Sequence, residues 1–325
     1  MSNEASRLLR ESESESDEIE CVECGQVCPL DADLCPHCGQ IPKLILLSEL
    51  GKQLPIGLLE TVEEANGQKE VLKKEFDVIA TDWNIERDVD KTWKKIKQQP
   101  GITILDYLVC VLAHTVIKLA GVNFRKHNPD RRLAVLNNMF AGDIFYMYTY
   151  VRIESMGNTF PIEKMECARC KHVHDFPVDL YSLEVATRKD AAGLYKTIQL
   201  RDGFESMGEQ RHEITIRPAT FFALAHIPDT NEAEMFAALT KDSVVAIEGM
   251  PEGATMTDSD IHQLSKWDMS MINEEIDLVA GGPQWIIEGE CPKCNFGFDH
   301  EIDWRYSNFF SRSSRSRVRR RRSRR

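Results

Sequence analysis

Residues 166–180 read ECARCKHVHDFPVDL and residues 290–304 read ECPKCNFGFDHEIDW. Each stretch opens with Glu-Cys-x-x-Cys, and at the same distance from the cysteines each reaches an apolar-Asp-apolar triplet, Val178-Asp179-Leu180 or Ile302-Asp303-Trp304. Two cysteines on one tight turn are typical of a zinc knuckle, and two knuckles complete a tetrahedral shell. We therefore predict that 120 intervening residues separate the halves of one zinc ribbon, with four ligands: Cys167, Cys170, Cys291 and Cys294.

Two alternatives to this split site stay open. The two turns can be separate, with cysteines that are merely buried. His172 or His174, which follow the first half closely, can also replace a cysteine as ligand. Lys171 stands where a knuckle usually has glycine.

A second cysteine module lies near the N-terminus. Two Cys-x2-Cys pairs are separated by ten residues, and each pair is followed by Gly-Gln. This spacing predicts a second four-cysteine zinc site, formed by Cys21, Cys24, Cys35 and Cys38. Cys28 and His37 lie within the module but are not among the predicted ligands. Both sites, with four cysteines each, leave no open coordination position, so we expect two structural zinc ions and no catalytic one.

The charge distribution separates an acidic body from a basic end. Net charge is −12, but the last 15 residues hold nine arginines and no acid, so the remainder carries 31 basic against 52 acidic residues. Such an end is suited to bind nucleic acid, an acidic protein surface or the acidic N-terminus. The arginines are Arg312, Arg315, Arg317, Arg319, Arg320, Arg321, Arg322, Arg324 and Arg325.

Composition and motifs narrow the class of protein. The acidic N-terminus is unlike a secretory signal, and the most apolar segment, residues 102–120, contains charged residues that disfavour a membrane span. Paired cysteines then indicate metal ligands in a reducing cytoplasm. The sequence lacks the common serine-hydrolase, metalloprotease and P-loop motifs, so we expect no enzymatic activity and no small-molecule substrate.

The periodicity of apolar residues predicts an α+β fold with a helical N-terminal half and a mixed α+β C-terminal half. Helices are expected over residues 89–97, 102–120, 131–154, 218–226 and 257–280, and strands over 213–217, 243–247 and 285–288. The predicted organisation is an acidic lead (1–20), a zinc ribbon (21–40), a mainly helical domain (41–164), an α+β domain with the split ribbon (165–310) and an Arg/Ser tail (311–325).

Further short motifs follow one another in a set order, interleaved with the cysteine half-sites: Asp143-Ile144-Phe145-Tyr146, residues 151–157 (VRIESMG), Gly282-Pro283 and Phe309-Phe310. In this order the chain, over about residues 50–310, resembles the baseplate-hub and tail-assembly chaperone proteins of contractile-tailed phages of the T-even type. The resemblance implies a non-enzymatic role in building the baseplate or chaperoning tail proteins. The N-terminal cysteine module and the arginine tail depart from that pattern.

Two functions from different classes follow. The first is a phage baseplate or tail-assembly protein that binds other tail proteins, in the host cytoplasm or in the virion. The second is a zinc-ribbon regulatory protein that binds nucleic acid through its arginine tail, although the acidic body disfavours this. Phe309 and Phe310 are suited to a protein interface, or else they contact the protein's own core.

Overall fold

The computed structural model describes residues 18–20, 26–29, 45–64, 67–227, 232–251 and 253–302. Its strands are β1 (Glu18–Glu20), β2 (Val27–Pro29), β3 (Ile45–Leu46), β4 (Gln53–Glu64), β5 (Gly67–Val78), β6 (Val116–Leu119), β7 (Val122–Asn123), β8 (Thr159–Glu166), β9 (Val173–Asp179), β10 (Glu184–Ala186), β11 (Lys196–Ser206), β12 (Glu209–Ile216), β13 (Val244–Ile247), β14 (Gly282–Pro283), β15 (Ile286–Glu290) and β16 (Gly297–Glu301). Its α-helices are α1 (Leu47–Leu50), α2 (Trp83–Ile96), α3 (Asp106–Thr115), α4 (Pro129–Asn137), α5 (Ala141–Met156), α6 (Phe221–Ala225), α7 (Glu232–Ser243), α8 (Asp258–Gln263) and α9 (Lys266–Val279).

The prediction of a helical N-terminal half is wrong, because that half is rich in strands. β4 and β5, of twelve residues each, form an antiparallel hairpin, and β6 and β7 extend it to a four-stranded sheet. The segment 102–120, predicted as one helix, ends its helix at Thr115 and continues as β6. Its β-branched Val116 pairs with Val78 and its Leu119 with Phe76, so sheet pairing overrides the helical periodicity.

The other sequence-predicted elements differ mainly at their ends. Residues 131–154 form two helices, because the chain is extended at Phe140 and pairs there with Thr220. The capping box at Thr257 is confirmed, but the helix it opens stops after Gln263, and Ser265 caps a new helix. α6 begins at Phe221, with Thr220 rather than Pro218 at its N-terminus.

Apart from β7 in the first run and β14 in the second, the same succession of elements occurs twice. A long antiparallel hairpin is followed by a helical segment, a helix that runs directly into a short third strand, two further helices, and a hairpin with Cys-x2-Cys at its tip. We name residues 53–179 the first repeat and residues 196–301 the second repeat. In both, the third strand pairs with the second strand of the long hairpin and its register shifts by one residue. The buried apolar side chains form two clusters: one is built mainly from the first repeat and also includes Phe221 and Ala225 of α6, and the other comes from the second repeat.

The long hairpins share one irregularity that supports this duplication. In each, four residues of the first strand lie opposite a single residue of the second. The bulged segments also match in sequence, QLPIGL at 53–58 and QLRDGF at 199–204. The glycines at the end of the bulges, Gly57 and Gly203, have φ of 103° and 70°. A Cβ atom on either would press against the carbonyl oxygen of the opposite strand, so both positions require glycine.

A buried aspartate stabilises each bulge. Asp143, the third residue of α5, accepts hydrogen bonds of 2.8 Å from the backbone N–H groups of Ile56 and Gly57. Asp268, the third residue of α9, accepts bonds of 2.8 to 3.0 Å from the N–H groups of residues 201–203. Both side chains are fully buried. The two carboxylates accept hydrogen bonds from backbone N–H groups that the bulge leaves without a partner on the opposite strand. Each carboxylate thereby connects a helix to its hairpin.

The Asp143 carboxylate is expected to make stability depend on pH. Burial raises its pKa from 3.8 to about 6, against the opposing effect of the two N–H donors and Lys74. Between pH 3.8 and about 6 the unfolded state ionises more readily than the folded state. The contribution of Asp143 to the free energy of unfolding is therefore greatest below pH 3.8. It falls by up to about 3 kcal/mol as the pH rises to about 6. Urea unfolding of wild type and Asp143→Asn at pH 4.5 and 7 measures this difference, which should be smaller in the variant.

Candidate metal centre

The structure brings the two predicted half-sites together. The Sγ atoms of Cys167 and Cys294 are 3.7 Å apart, and so are those of Cys170 and Cys291. All four sulfur atoms lie within 4.8 Å of one another. Cys167 and Cys291 are buried, while Cys170 and Cys294 are partly exposed. The convergence predicted from the matching sequences is confirmed, and this group of four thiols can hold a metal ion.

The sulfur spacing distinguishes a metal site from disulfides. A disulfide requires an S–S distance of about 2.05 Å, far shorter than the 3.7 Å found in both cross-ribbon pairs. A tetrahedral ion with sulfur ligands at about 2.3 Å places the sulfurs about 3.8 Å from one another. The donor set therefore fits a closed four-thiolate shell.

Both knuckles use the same backbone geometry. The N–H of Cys167 donates to the carbonyl of His172, and the carbonyl of Cys167 accepts from the N–H of Lys171, both at 3.0 Å. Two equivalent bonds of 3.0 and 2.9 Å close the second knuckle around Cys291. The residue after the second cysteine is left-handed in both, with φ of 57° at Lys171 and 53° at Asn295. This conformation favours glycine, and asparagine tolerates it better than lysine.

Replacing Lys171 by glycine is expected to stabilise the first knuckle. The left-handed backbone strains a lysine, and the change forfeits only an exposed ion pair with Glu166 at 3.3 Å. We expect a gain of about 0.5–1 kcal/mol in metal affinity or unfolding free energy. Asn295→Gly is the matched control and should gain less. Chelator competition measures both, and a loss of affinity in Lys171→Gly would contradict the assigned strain.

The two cysteine hairpins also contact each other through aromatic side chains. The rings of Phe176 in β9 and Phe298 in β16 are 5.4 Å apart and nearly perpendicular. The residues that flank the second hairpin contact the first repeat: the Trp285 ring lies 6.1 Å from Phe145 of α5, and Ile302 is buried in the first cluster. The ribbon therefore joins the end of the second repeat to the first.

The histidines near the first knuckle are not part of the cluster. His172 and His174 stack with their ring centroids 5.7 Å apart, and His174 also lies against the Phe298 ring. Within the described residues, the one group of at least three potential ligands consists of the four cysteines. The alternative in which a histidine replaces a cysteine is not supported.

The pKa values of Cys167 and Cys294 are shifted in opposite directions. Backbone N–H groups of Cys170 and Arg169 lower the pKa of Cys167 to about 6. Desolvation and the three neighbouring sulfurs raise the pKa of Cys294 to about 12. A bound cation must therefore displace protons, and its affinity falls as the pH is lowered.

The remaining predicted site residues lie outside the described part of the chain: Cys21, Cys24, Cys35, Cys38, Phe309, Phe310 and the nine arginines of residues 312–325. Cys28 is buried in β2, opposite Ile19. Cys110 lies in the core on α3, where burial and the nearby Asp106 raise its pKa to about 12, as expected of an unreactive packing residue. The roles of Asp143 and Asp268 were not predicted from the sequence, where the repeated Gln-Leu-x-x-Gly of the two bulges was the available signal.

No protein-family model matches the chain, and neither a curated protein nor a solved structure proved similar to it. Among the helices that the structure describes, none is both long and apolar enough to cross a membrane.

Proposed function

We propose that this chain is a non-enzymatic, zinc-binding assembly protein that acts through protein–protein contacts in building a phage baseplate or tail. The observation that carries the proposal is the closed shell of four cysteines, drawn equally from the ends of two repeats. Such a shell offers no coordination position for a substrate, so the metal serves to hold the chain in shape. The phage setting rests on the resemblance of the ordered sequence motifs.

Zinc is the ion that we assign to the ribbon. Four thiolates in a tetrahedral arrangement select a soft ion with no need for a fifth ligand, and structural Cys₄ sites are typical of zinc. We assign a second zinc ion to Cys21, Cys24, Cys35 and Cys38, on the evidence of their spacing. The complete chain should then carry two zinc ions.

An arrangement of this kind suits a scaffold rather than a catalyst. The ribbon joins the end of the second repeat to the core of the first, so losing the metal changes how the repeats are connected rather than any reactive group. We therefore infer that its partners are other tail or baseplate proteins, which it binds without catalysing a reaction.

The nucleic-acid alternative rests on a specific feature, the arginine tail. The other 310 residues carry a net charge of −21, which repels a phosphate backbone, so binding would depend on the tail alone. Removing residues 311–325 then separates the two functions. A tail-dependent RNA- or DNA-binding protein should lose its ligand, and an assembly protein should keep its partners.

Affinity purification from phage-infected cells tests the proposal. Tagged full-length protein and the variant lacking residues 311–325 should both recover tail or baseplate proteins, in nuclease-treated lysate as well as untreated. Recovery of nucleic acid or polymerase subunits without tail proteins, abolished by the truncation, would overturn the assembly function in favour of the alternative.

A further inference from the structure

The first strand of each long hairpin has an edge that faces away from the second strand. Glu64 and Gly67 flank the two-residue turn of the first hairpin and are a hydrogen-bonded pair, and such pairs alternate with non-bonded pairs along the hairpin. Leu59, in a non-bonded pair with Leu72, therefore directs its backbone N–H and C=O away from β5. The same alternation directs the N–H and C=O of Glu205 away from β12 in the second hairpin. Leu59 and Glu205 are equivalent, because each lies two residues after the bulge glycine of its repeat.

In the second repeat, one side chain closes this edge. Gln263, the last residue of α8, accepts a hydrogen bond of 3.0 Å from the N–H of Glu205 through its Oε1 atom. Its Nε2 atom donates to the carbonyl of Glu205 at 3.1 Å and to the carbonyl of Ser259 at 3.2 Å. The side-chain amide thus makes the two bonds that the backbone of an added strand would make.

In the first repeat, the equivalent side chain is one methylene group shorter. Asn138 lies five residues before the bulge aspartate, as Gln263 does in its repeat. Its Nδ2 atom donates to the carbonyl of Ala134 at 2.8 Å, which corresponds to the bond between Gln263 and Ser259. Within the described residues, the outward N–H and C=O of Leu59 have no hydrogen-bond partner. The edge that is closed in the second repeat is therefore open in the first.

An open groove of about 430 Å³ lies between this edge and α4. Its charged lining residues are Arg131 and Arg217, and no carboxylate lines it among the described residues. The Arg217 guanidinium is already 3.8 Å from Asp242, so the exposed Arg131 is the cation most available to a ligand. The apolar wall of the groove is formed by Leu58, Leu59, Ala134, Val135, Met139 and Phe140.

We propose that the first repeat binds an extended segment of a partner protein, which adds a strand to β4 in this groove. The backbone of the segment bonds to Leu59 and to Thr61, the next residue with outward N–H and C=O groups. An apolar side chain of the segment enters the groove, and a carboxylate pairs with Arg131. The exposed Glu63, further along β4, favours a basic residue at the other end of the segment.

Peptide selection on the full-length protein tests this proposal. A displayed library of random short peptides is selected on the wild type, and we expect enriched peptides that combine β-branched or other apolar residues with a carboxylate. Asn138→Gln gives the first repeat the side chain that closes the second. It should raise the Kd of the enriched peptides at least about tenfold, equivalent to about 1.4 kcal/mol. Slower hydrogen exchange of the Leu59 amide in this variant shows that the new side chain reaches the edge.

Ala134→Trp is a second, independent test of the same groove. Ala134 is exposed on α4 and lines the groove, so a tryptophan there fills the space and should weaken peptide binding to a similar extent. Ser259→Trp is the matched control, because Ser259 is the equivalent exposed position of the repeat whose edge is closed. It should leave the peptide affinity unchanged, and all variants should retain their zinc.

Several results would overturn the proposal. One is a selection that enriches no peptide, and another is a set of peptides that bind Asn138→Gln and Ala134→Trp as tightly as the wild type. A dimer that dissociates in Asn138→Gln would assign the groove to a second copy of the chain. Peptides that bind only after residues 303–325 are removed would assign it to the chain's own C-terminal segment. None of these results bears on whether the protein binds tail proteins, so the two proposals fail separately.

Discussion

Replacing Cys291 by serine is expected to reduce the zinc content from two ions per chain to one and to release both cysteine hairpins. A single serine removes a thiolate that completes the shell formed with Cys167, Cys170 and Cys294. Structural zinc contributes roughly 10–16 kcal/mol of apparent binding free energy in zinc-finger peptides. We therefore expect a loss on the order of 5 kcal/mol or more in the stability of the ribbon. Metal analysis and hydrogen exchange of β8, β9, β15 and β16 measure the two effects.

Cys110→Ala provides the control for this change. Cys110 is a completely buried thiol of the first core and belongs to no group of metal ligands within the described residues. Its replacement should cost packing energy but leave the zinc content unaltered. If Cys291→Ser keeps its full zinc content and exposes only β15 and β16 to exchange, the two halves do not share an ion.

Replacing Asp268 by alanine is expected to lower the unfolding free energy of the second repeat by about 3–5 kcal/mol. The carboxylate accepts hydrogen bonds from three backbone N–H groups, at residues 201–203, and is fully buried. Each buried donor left without an acceptor costs about 1–3 kcal/mol, less where water enters the space. Urea unfolding followed by hydrogen exchange in β11 and α9 measures the loss.

Asp190→Ala serves as the comparison, because Asp190 accepts one N–H bond, from Gly193, at an exposed position. It should cost no more than about 1 kcal/mol. A similar small effect for Asp268→Ala would show that the bulge does not depend on its aspartate. Asp143→Ala should behave like Asp268→Ala, but in the first repeat.

The cysteine half-sites could be predicted from the sequence because their signal is local. Two thiols three positions apart define a turn, and the matching Val178-Asp179-Leu180 and Ile302-Asp303-Trp304 triplets indicate that both turns lead into like strands. Their convergence across 120 residues followed from the chemistry, since one knuckle supplies half of a tetrahedral shell. Lys171 could be recognised as unusual because a knuckle usually has glycine at this position. Its left-handed backbone, with φ of 57°, explains the preference for glycine.

The sheets could not be predicted in the same way, because their partners are distant in sequence. β5, GQKEVLKKEFDV, is rich in lysine and glutamate and suits a helix as well as a strand. Only its position between β4 and β6 decides the outcome. The continuous helix expected over 257–280 was divided by Ser265, whose capping of α9 places Asp268 under the bulge.

The duplication could not be recognised from the sequence because too few residues are shared between the two repeats. The two bulged segments share only Gln, Leu and Gly, at 53–58 and 199–204. Those few residues matter because one glycine must adopt positive φ and one leucine must be buried in each hairpin, Leu54 or Leu200. The residues that fix a fold can thus be too few to show a repeat until their geometry is known.

X-ray absorption at the zinc edge tests most directly whether the ends of the two repeats share one zinc ion. The measurement uses the full chain with Cys21, Cys24, Cys35 and Cys38 changed to serine, so that only the ribbon contributes. We expect one zinc ion per chain with four sulfur ligands at about 2.3 Å, and loss of that ion when either Cys170 or Cys294 is also changed to serine. Nitrogen or oxygen ligands in the shell, or an ion that survives both changes, would contradict it.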